Sequence, residues 1–198
     1  MQSLADMLKV DRKALHYHVK NRQSLFELLA HDEFTRQLSE TAVATAADWK
    51  EGFRIYARDL TASAANLAEL VDYLWFGDVM TCLPLEPVEI LFAQLNAAGF
   101  TDEEAIRLMT ALSTLCLGHA RDLAQARKED ARTRSRLLRS ALSEQPVSRF
   151  PNLERISTAN VDTYSAEQLA FSVELILDGA DRLSLAKENA MPPSPPGK

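Results

Sequence analysis

The segment VDRKALHYHVKNRQSLFELL, Val10 to Leu29, concentrates base, two histidines and a tyrosine in a short run before it becomes an ordinary amphipathic helix. Residues 1–22 hold Lys9, Arg12, Lys13, Lys20 and Arg22 against Asp6 and Asp11, a net of +3. The remaining 176 residues therefore carry −9 within a total of −6. Such asymmetry in an acidic chain points to one end that meets a polyanion while the rest serves another purpose. A basic helix face can also be no more than solvated, so charge alone leaves both readings open.

The pattern inside the segment narrows the choice. A short helix over residues 3–8, a break at Lys9 and Val10, and a second short helix over 12–19 with Asp11 as N-cap have the length and rhythm of a helix-turn-helix. Leu4, Ala5, Leu8, Val10, Leu15 and Val19 supply the apolar seam between the two, leaving Arg12, Lys13, His16 and Tyr17 on or beside the outer face. Asn21 caps the next helix, with Lys20 and Arg22 at its mouth, where backbone N–H groups and the helix dipole favour phosphate.

Working outward, the first proline is Pro84 and alanine and leucine dominate, so the fold class is all-α. Asp48 with Glu51 opens a helix carrying Trp49, Phe53, Tyr56 and Leu60; Asn66 with Glu69 is expected to open another. Pro87 suits the first turn of a helix that stops at Gly99, and Thr101 with Glu104 forms a capping box for a long helix to about Arg127. A charged helix from about Glu129 to Leu142 follows, then a long loop from Ser143 to Tyr164, then a helix capped by Ser165 and Gln168 that runs past Leu183. The expected division is a helix-turn-helix module with its connecting helix over 1–46, a regulatory and dimerisation domain over 47–188, and a disordered tail over 189–198 ending in MPPSPPGK.

Cys82 and Cys116 are too few for a disulfide framework or a four-ligand zinc site, and no apolar run is long enough for a membrane span, so a cytoplasmic setting without membrane attachment is expected. His16 and His18 lie on different helix faces and do not suit a shared metal; no metal and no cofactor is expected. His31 reads as a partly exposed helix residue. Glycine-rich phosphate loops, nucleophile elbows and carboxylate–histidine clusters are lacking, so an enzyme is not expected.

At the level of motifs, LADMLKVDRKALHYHVKNRQSLFELL resembles the TetR family of bacterial transcriptional regulators, and HYHVKNRQSLFELLA is similar to the tetracycline-repressor branch. GFTDEEAIRLMTALSTLCLG, RFPNL and AFSVELILDGADRL look like that branch's regulatory domain. The resemblance implies DNA contacts from Gln2, Arg12, Lys13, Ala14, His16, Tyr17, Lys20 and Arg22, with Arg12 and Lys13 suited to guanine edges. Three departures stand out: the chain begins just before the family's second helix, so its first helix is either outside this sequence or absent, which would leave Leu4 and Leu8 poorly covered; Lys9 stands where the family has glycine; and His16 replaces a backbone-touching tyrosine.

The resemblance also implies a ligand cavity drawn from Tyr56, Leu60, Trp75, Phe76, Met80, Phe92, Leu115, Cys116 and His119, although plain core packing accounts for residues of this kind equally well. YLWFGDV and TRQLSE lack the histidines with which tetracycline repressors grip a magnesium chelate, so the expected effector is an apolar or aromatic molecule. The last helix has apolar residues on more than one side. Leu169, Val173, Ile176 and Ala180, with Leu138 and Leu142 of the charged helix, are the expected homodimer interface, and two-fold symmetry then implies a palindromic double-stranded operator. The alternative is a helical ligand-sequestering protein that has lost DNA binding.

Overall fold

The computed structural model describes residues 5–7, 9, 11, 13, 17, 19–74, 84–128, 134–146, 149–159 and 161–190, with the backbone course alone for 128, 134, 135 and 184–190. All regular structure among them is helical. In chain order the helices are α1 (Arg22–Leu38), α2 (Trp49–Asn66), α3 (Leu85–Ala97), α4 (Asp102–Lys128), α5 (Arg134–Ser143), α6 (Pro151–Ser157) and α7 (Ala166–Ala190). Short 3-10 turns occupy Val43–Thr45 and Ala68–Tyr73.

Local chemistry sets most boundaries. The Asn21 side chain accepts from the Ser24 N–H at 2.8 Å while the Ser24 hydroxyl accepts from the Asn21 N–H at 3.1 Å, a reciprocal cap that starts α1. Asp48 accepts from the Glu51 N–H at 2.8 Å to open α2. At α4 the Thr101 N–H donates to Glu104 at 2.9 Å, closing the expected capping box. Gly99 sits at φ +83, where any other residue would be strained, and lets α3 turn into α4. Ser165 accepts from the Gln168 N–H at 3.2 Å at the head of α7.

Two expectations change, and two details are added. Asn66 does not open a helix: it is the last residue of α2, and Ala68 at φ +50 breaks the chain into the 3-10 turn. The presumed loop between Ser143 and Tyr164 contains α6, begun by Pro151 at a position where its missing N–H costs nothing. The buried stripe of α1 is Ala30, Phe34 and Leu38, whereas Leu28 and Leu29 are exposed. Helix α7 continues to Ala190, while 191–198 lie outside the described residues.

The core is built on α2 against α4. Phe53, Tyr56, Leu60 and Ala64 of α2 meet Met109, Leu112, Cys116 and Ala120 of α4, all essentially inaccessible. Trp49 stacks edge-on against Phe100 at 5.0 Å at one end, and Thr61 meets Cys116 further along, so the two helices run in the same direction. Burying side chains of this size contributes roughly 1.5–3 kcal/mol each before the entropy of ordering them is subtracted. Helix α3 lies across both, and α7 closes the other side through Val173, Leu177 and Ala180. Arg54 of α2 donates twice to Glu174 of α7, at 2.6 and 2.8 Å, and Lys50 pairs with Asp181 at 2.8 Å. These half-exposed pairs set orientation more than stability.

Lys9 has φ +54, and its N–H donates to the Asp6 carbonyl at 3.2 Å, so the turn position that resembles a glycine site does require the left-handed conformation. Lys9 and Ala68 each bear a Cβ where glycine would be unstrained. Lys9→Gly and Ala68→Gly are each expected to stabilise the fold by about 1 kcal/mol, read as a higher denaturation midpoint at unchanged slope; a lowered midpoint would show that the strain is absent.

Candidate functional site

The N-terminal segment faces solvent where it is described. Ala5 and Val19 are buried, giving two anchors of the expected seam, while Lys13 and Lys20 are exposed and Tyr17 is 87% exposed. Asp11 accepts from the Lys13 N–H at 2.6 Å, as an N-cap should. Gln2, Arg12, Ala14 and His16 lie outside the described residues. No intrasubunit ion pair involves Lys13 or Lys20 among the described residues, so their charge projects outward.

Arg22, at the first position of α1, is exposed but engaged. Its guanidinium stands 5.0 Å over the Phe26 ring, and Phe26 in turn packs against Tyr73 with ring centroids 5.2 Å apart. Tyr73 closes the 3-10 turn Ala68–Tyr73, and the next residue, Leu74, accepts a hydrogen bond from the Arg121 guanidinium of α4. A cleft of about 560 Å³ opens beside this contact, lined by Arg22, Phe26, Leu67, Glu69, Asp72 and Tyr73 among others. The basic end is therefore joined to the long helix of the main domain by the Phe26–Tyr73 pair and the strained turn, beside the packing of Ala30, Phe34 and Leu38 in the common core. The sequence holds no periodic signal for this join, because Phe26 and Tyr73 are 47 positions apart and each looks like an ordinary apolar residue.

Of the expected ligand residues, Tyr56, Leu60 and Cys116 come together in the α2–α4 seam. Leu115 and His119 are half-buried on the same α4. Phe92 lies elsewhere, walling a shallow cleft with Asn96, Phe100 and Ala105. Trp75, Phe76 and Met80 lie outside the described residues.

One further residue, which periodicity did not single out, joins this seam: Thr61, beside Cys116; Ser113 of α4 is buried as well. Thr61 stands beside the Cys116 thiol and favours its ionised form, but burial outweighs this and pushes the thiol up to about 11, so it stays protonated. Burial also raises the Tyr56 phenol well above its ordinary value, with Cys116 reinforcing the effect. The hydroxyls of Tyr56, Thr61 and Ser113 have no hydrogen-bond partner among the described residues. A buried hydroxyl in that state costs about 1–3 kcal/mol.

Apolar surface gathers on α5, α6 and α7. Val173 and Ala180 are buried inside their own subunit, and the half-buried Leu169 and Ile176 pack against the same core. Phe171, Leu175 and Leu183, one notch round the helix, are each about 60% exposed. Sequence showed apolar residues on two sides of α7; which side α2 and α4 would claim depends on tertiary packing. Leu138 and Leu142 are half-buried and Leu137 is exposed, as are Leu153 and Ile156 of α6. Two clefts flank α7: about 280 Å³ between it and α2, and about 480 Å³ between it and the start of α4. Among the described residues, no group of histidine, cysteine and acidic side chains could hold a metal ion, and no helix is long and apolar enough to cross a membrane.

Comparison with known proteins gives a consistent result. No curated protein matches the chain in sequence. In structure it is similar to ActR of Streptomyces coelicolor, a TetR family protein solved in complex with actinorhodin, at 23% identity and a TM-score of 0.66, covering 93% of this chain and 87% of that one. ActR in complex with (S)-DNPA aligns at 25% identity and a TM-score of 0.60, covering 90% and 85%. A possible TetR family transcriptional regulator of the same organism aligns at 21% identity and a TM-score of 0.64, covering 92% and 88%. The tetracyclin repressor-like C-terminal domain matches residues 43–183, and on that match the chain belongs to the TetR family of transcriptional regulators.

Proposed function

We propose that this protein is a homodimeric repressor that binds a palindromic operator and is released from it by a small apolar or aromatic ligand held in the helical domain. The observation that carries the reading is the contact of Arg22, Phe26 and Tyr73, which ties an outward-facing basic segment to the helix bearing Cys116 and His119. Lys13, Tyr17 and Lys20 are exposed on the side that would meet DNA, with Lys20 at the mouth of α1, where a phosphate is favoured.

The mechanism is a two-state equilibrium. A ligand that parts or rotates α4 against α2 carries the Leu74 carbonyl with Arg121, and Tyr73 with it, so Phe26 and α1 follow as a lever. Operator affinity then falls by the ligand's differential affinity for the two states. Ala68, strained at φ +50, marks the point where the lever bends. The seam offers apolar walls and hydroxyls rather than histidines, which supports an organic ligand over a magnesium chelate. The complex of ActR with actinorhodin supports a ligand-responsive regulator.

Dimerisation follows from the exposed apolar face. Leu175 and Leu183 of α7 lie beside a cleft lined largely by carbon, and Phe171 of α7 and Leu137 of α5 add to the exposed surface. A second copy that covers these faces would place the two basic ends on one side of a two-fold axis, with half-sites about one helical turn apart.

Two measurements check the reading. In a mobility-shift titration over increasing salt, specific DNA binding is expected to weaken steeply, and Lys20→Ala is expected to lower the salt slope by about one while weakening all sequences alike. Absence of any specific shift at low salt would leave a ligand-sequestering protein. For the interface, Leu175→Arg is expected to convert the dimer to a folded monomer in light scattering with unchanged helix content; a dimer of undiminished stability would place the interface elsewhere.

A further inference from the structure

The cleft beside the Arg22–Phe26–Tyr73 contact joins two kinds of wall. Its volume is about 560 Å³, within the range of small-molecule sites. On one side Phe26 and Tyr73, both half-buried, meet with their ring planes inclined at 57°, so the aromatic surfaces form a corner. On the other, Glu69 and Asp72 are exposed on the 3-10 turn. They are three residues apart and therefore stand on one edge of it, because a 3-10 helix repeats every three residues. Leu70 adds carbon to the lining.

The aromatic corner already holds a cation. The Arg22 guanidinium lies 5.0 Å over the Phe26 ring, one turn along α1. No ion pair draws it to Glu69 among the described residues, and Glu69 itself has neither an ion pair nor a hydrogen bond there. Among the described residues the lining has one basic side chain, Arg22, against the two carboxylates. An anionic ligand would meet that excess of negative charge, and a neutral one would leave it to water. A cation gains from both walls, from the ring face and from the carboxylates. Arg22 is exposed, so it can yield the ring to a competing cation and turn to solvent.

We propose that this cleft binds a small organic cation, an ammonium or quaternary ammonium group on an apolar frame, which takes the face of Phe26 in place of Arg22 and has Glu69 and Asp72 as counter-charges. The site is separate from the interior of the helical domain: its walls come from α1 and from the end of α2 with the turn that follows, outside the α2–α4 seam. It goes beyond the apolar effector and does not depend on it.

The test uses the full chain without DNA and two probes of one shape, choline and 3,3-dimethylbutan-1-ol, in which carbon replaces the charged nitrogen. Binding is followed by ligand-observed nuclear magnetic resonance titration. Choline is expected to bind roughly five- to tenfold more tightly than the alcohol, the ratio of one cation–ring contact and one exposed charge pair. Phe26→Leu keeps the apolar contact and removes the ring face, so it should weaken choline about three- to fivefold and leave the alcohol unchanged. Glu69→Gln, at an exposed position that leaves the fold intact, should weaken choline about two- to threefold. Arg22→Gln removes the competing guanidinium and should tighten choline about two- to fivefold.

Equal affinity of the parent for the two probes, or no binding of choline, would overturn the assignment. So would choline affinity that is unchanged in a Phe26→Leu protein of parental helix content, or unchanged or weakened in Arg22→Gln; should Phe26→Leu fail to fold, Glu69→Gln and Arg22→Gln decide. The outcome is independent of operator binding: choline selectivity without an operator shift removes the repressor reading and leaves the site, and the reverse removes the site alone.

Discussion

The packing of α2 along α4 is the constraint on which the rest of the molecule depends. Trp49 against Phe100 sets the start of the seam, and small residues further along, Ala57, Ala64, Cys116 and Ala120, bring the two backbones close. Helix α3 can lie across this pair because Gly52 offers no Cβ to the Gln94 amide and Leu91 that press on it. The turn after α2 and the position of Tyr73 are fixed relative to α4 by the Arg121 hydrogen bond to the Leu74 carbonyl. Change the distance or rotation between α2 and α4, and the contact with α1 must change as well.

That dependence links stability to signalling. A seam made wholly of leucine and alanine would be more stable and deaf to a ligand. Here a strained residue at Ala68 lies in the turn that carries the connection to α1.

Much of the architecture was legible because its signals are local. Asn21, Asp48, Thr101 and Ser165 cap the helices that follow them, and each cap works through side chain and backbone atoms within three residues. The glycine-like position of Lys9 was legible for the same reason, since a turn's backbone requirement does not depend on distant partners. Features decided across the fold were not. Val173 and Ala180 could not be told from Phe171 and Leu175 until α2 and α4 had claimed one side of α7. Asn66 has the composition of a helix start, yet it completes the preceding helix because Ala68 takes a left-handed conformation that alanine seldom adopts. Ser113 is inconspicuous in sequence. Its burial without a partner is visible only in three dimensions.

The central claim is that a basic segment, presented outward by a symmetric helical dimer, reads DNA. Selection of duplexes by the full chain from a random pool tests it most directly, since no operator need be known beforehand. The account predicts enrichment of a two-fold symmetric motif whose halves lie about one helical turn apart. Enrichment of no motif, or of a single unsymmetric one, would contradict it.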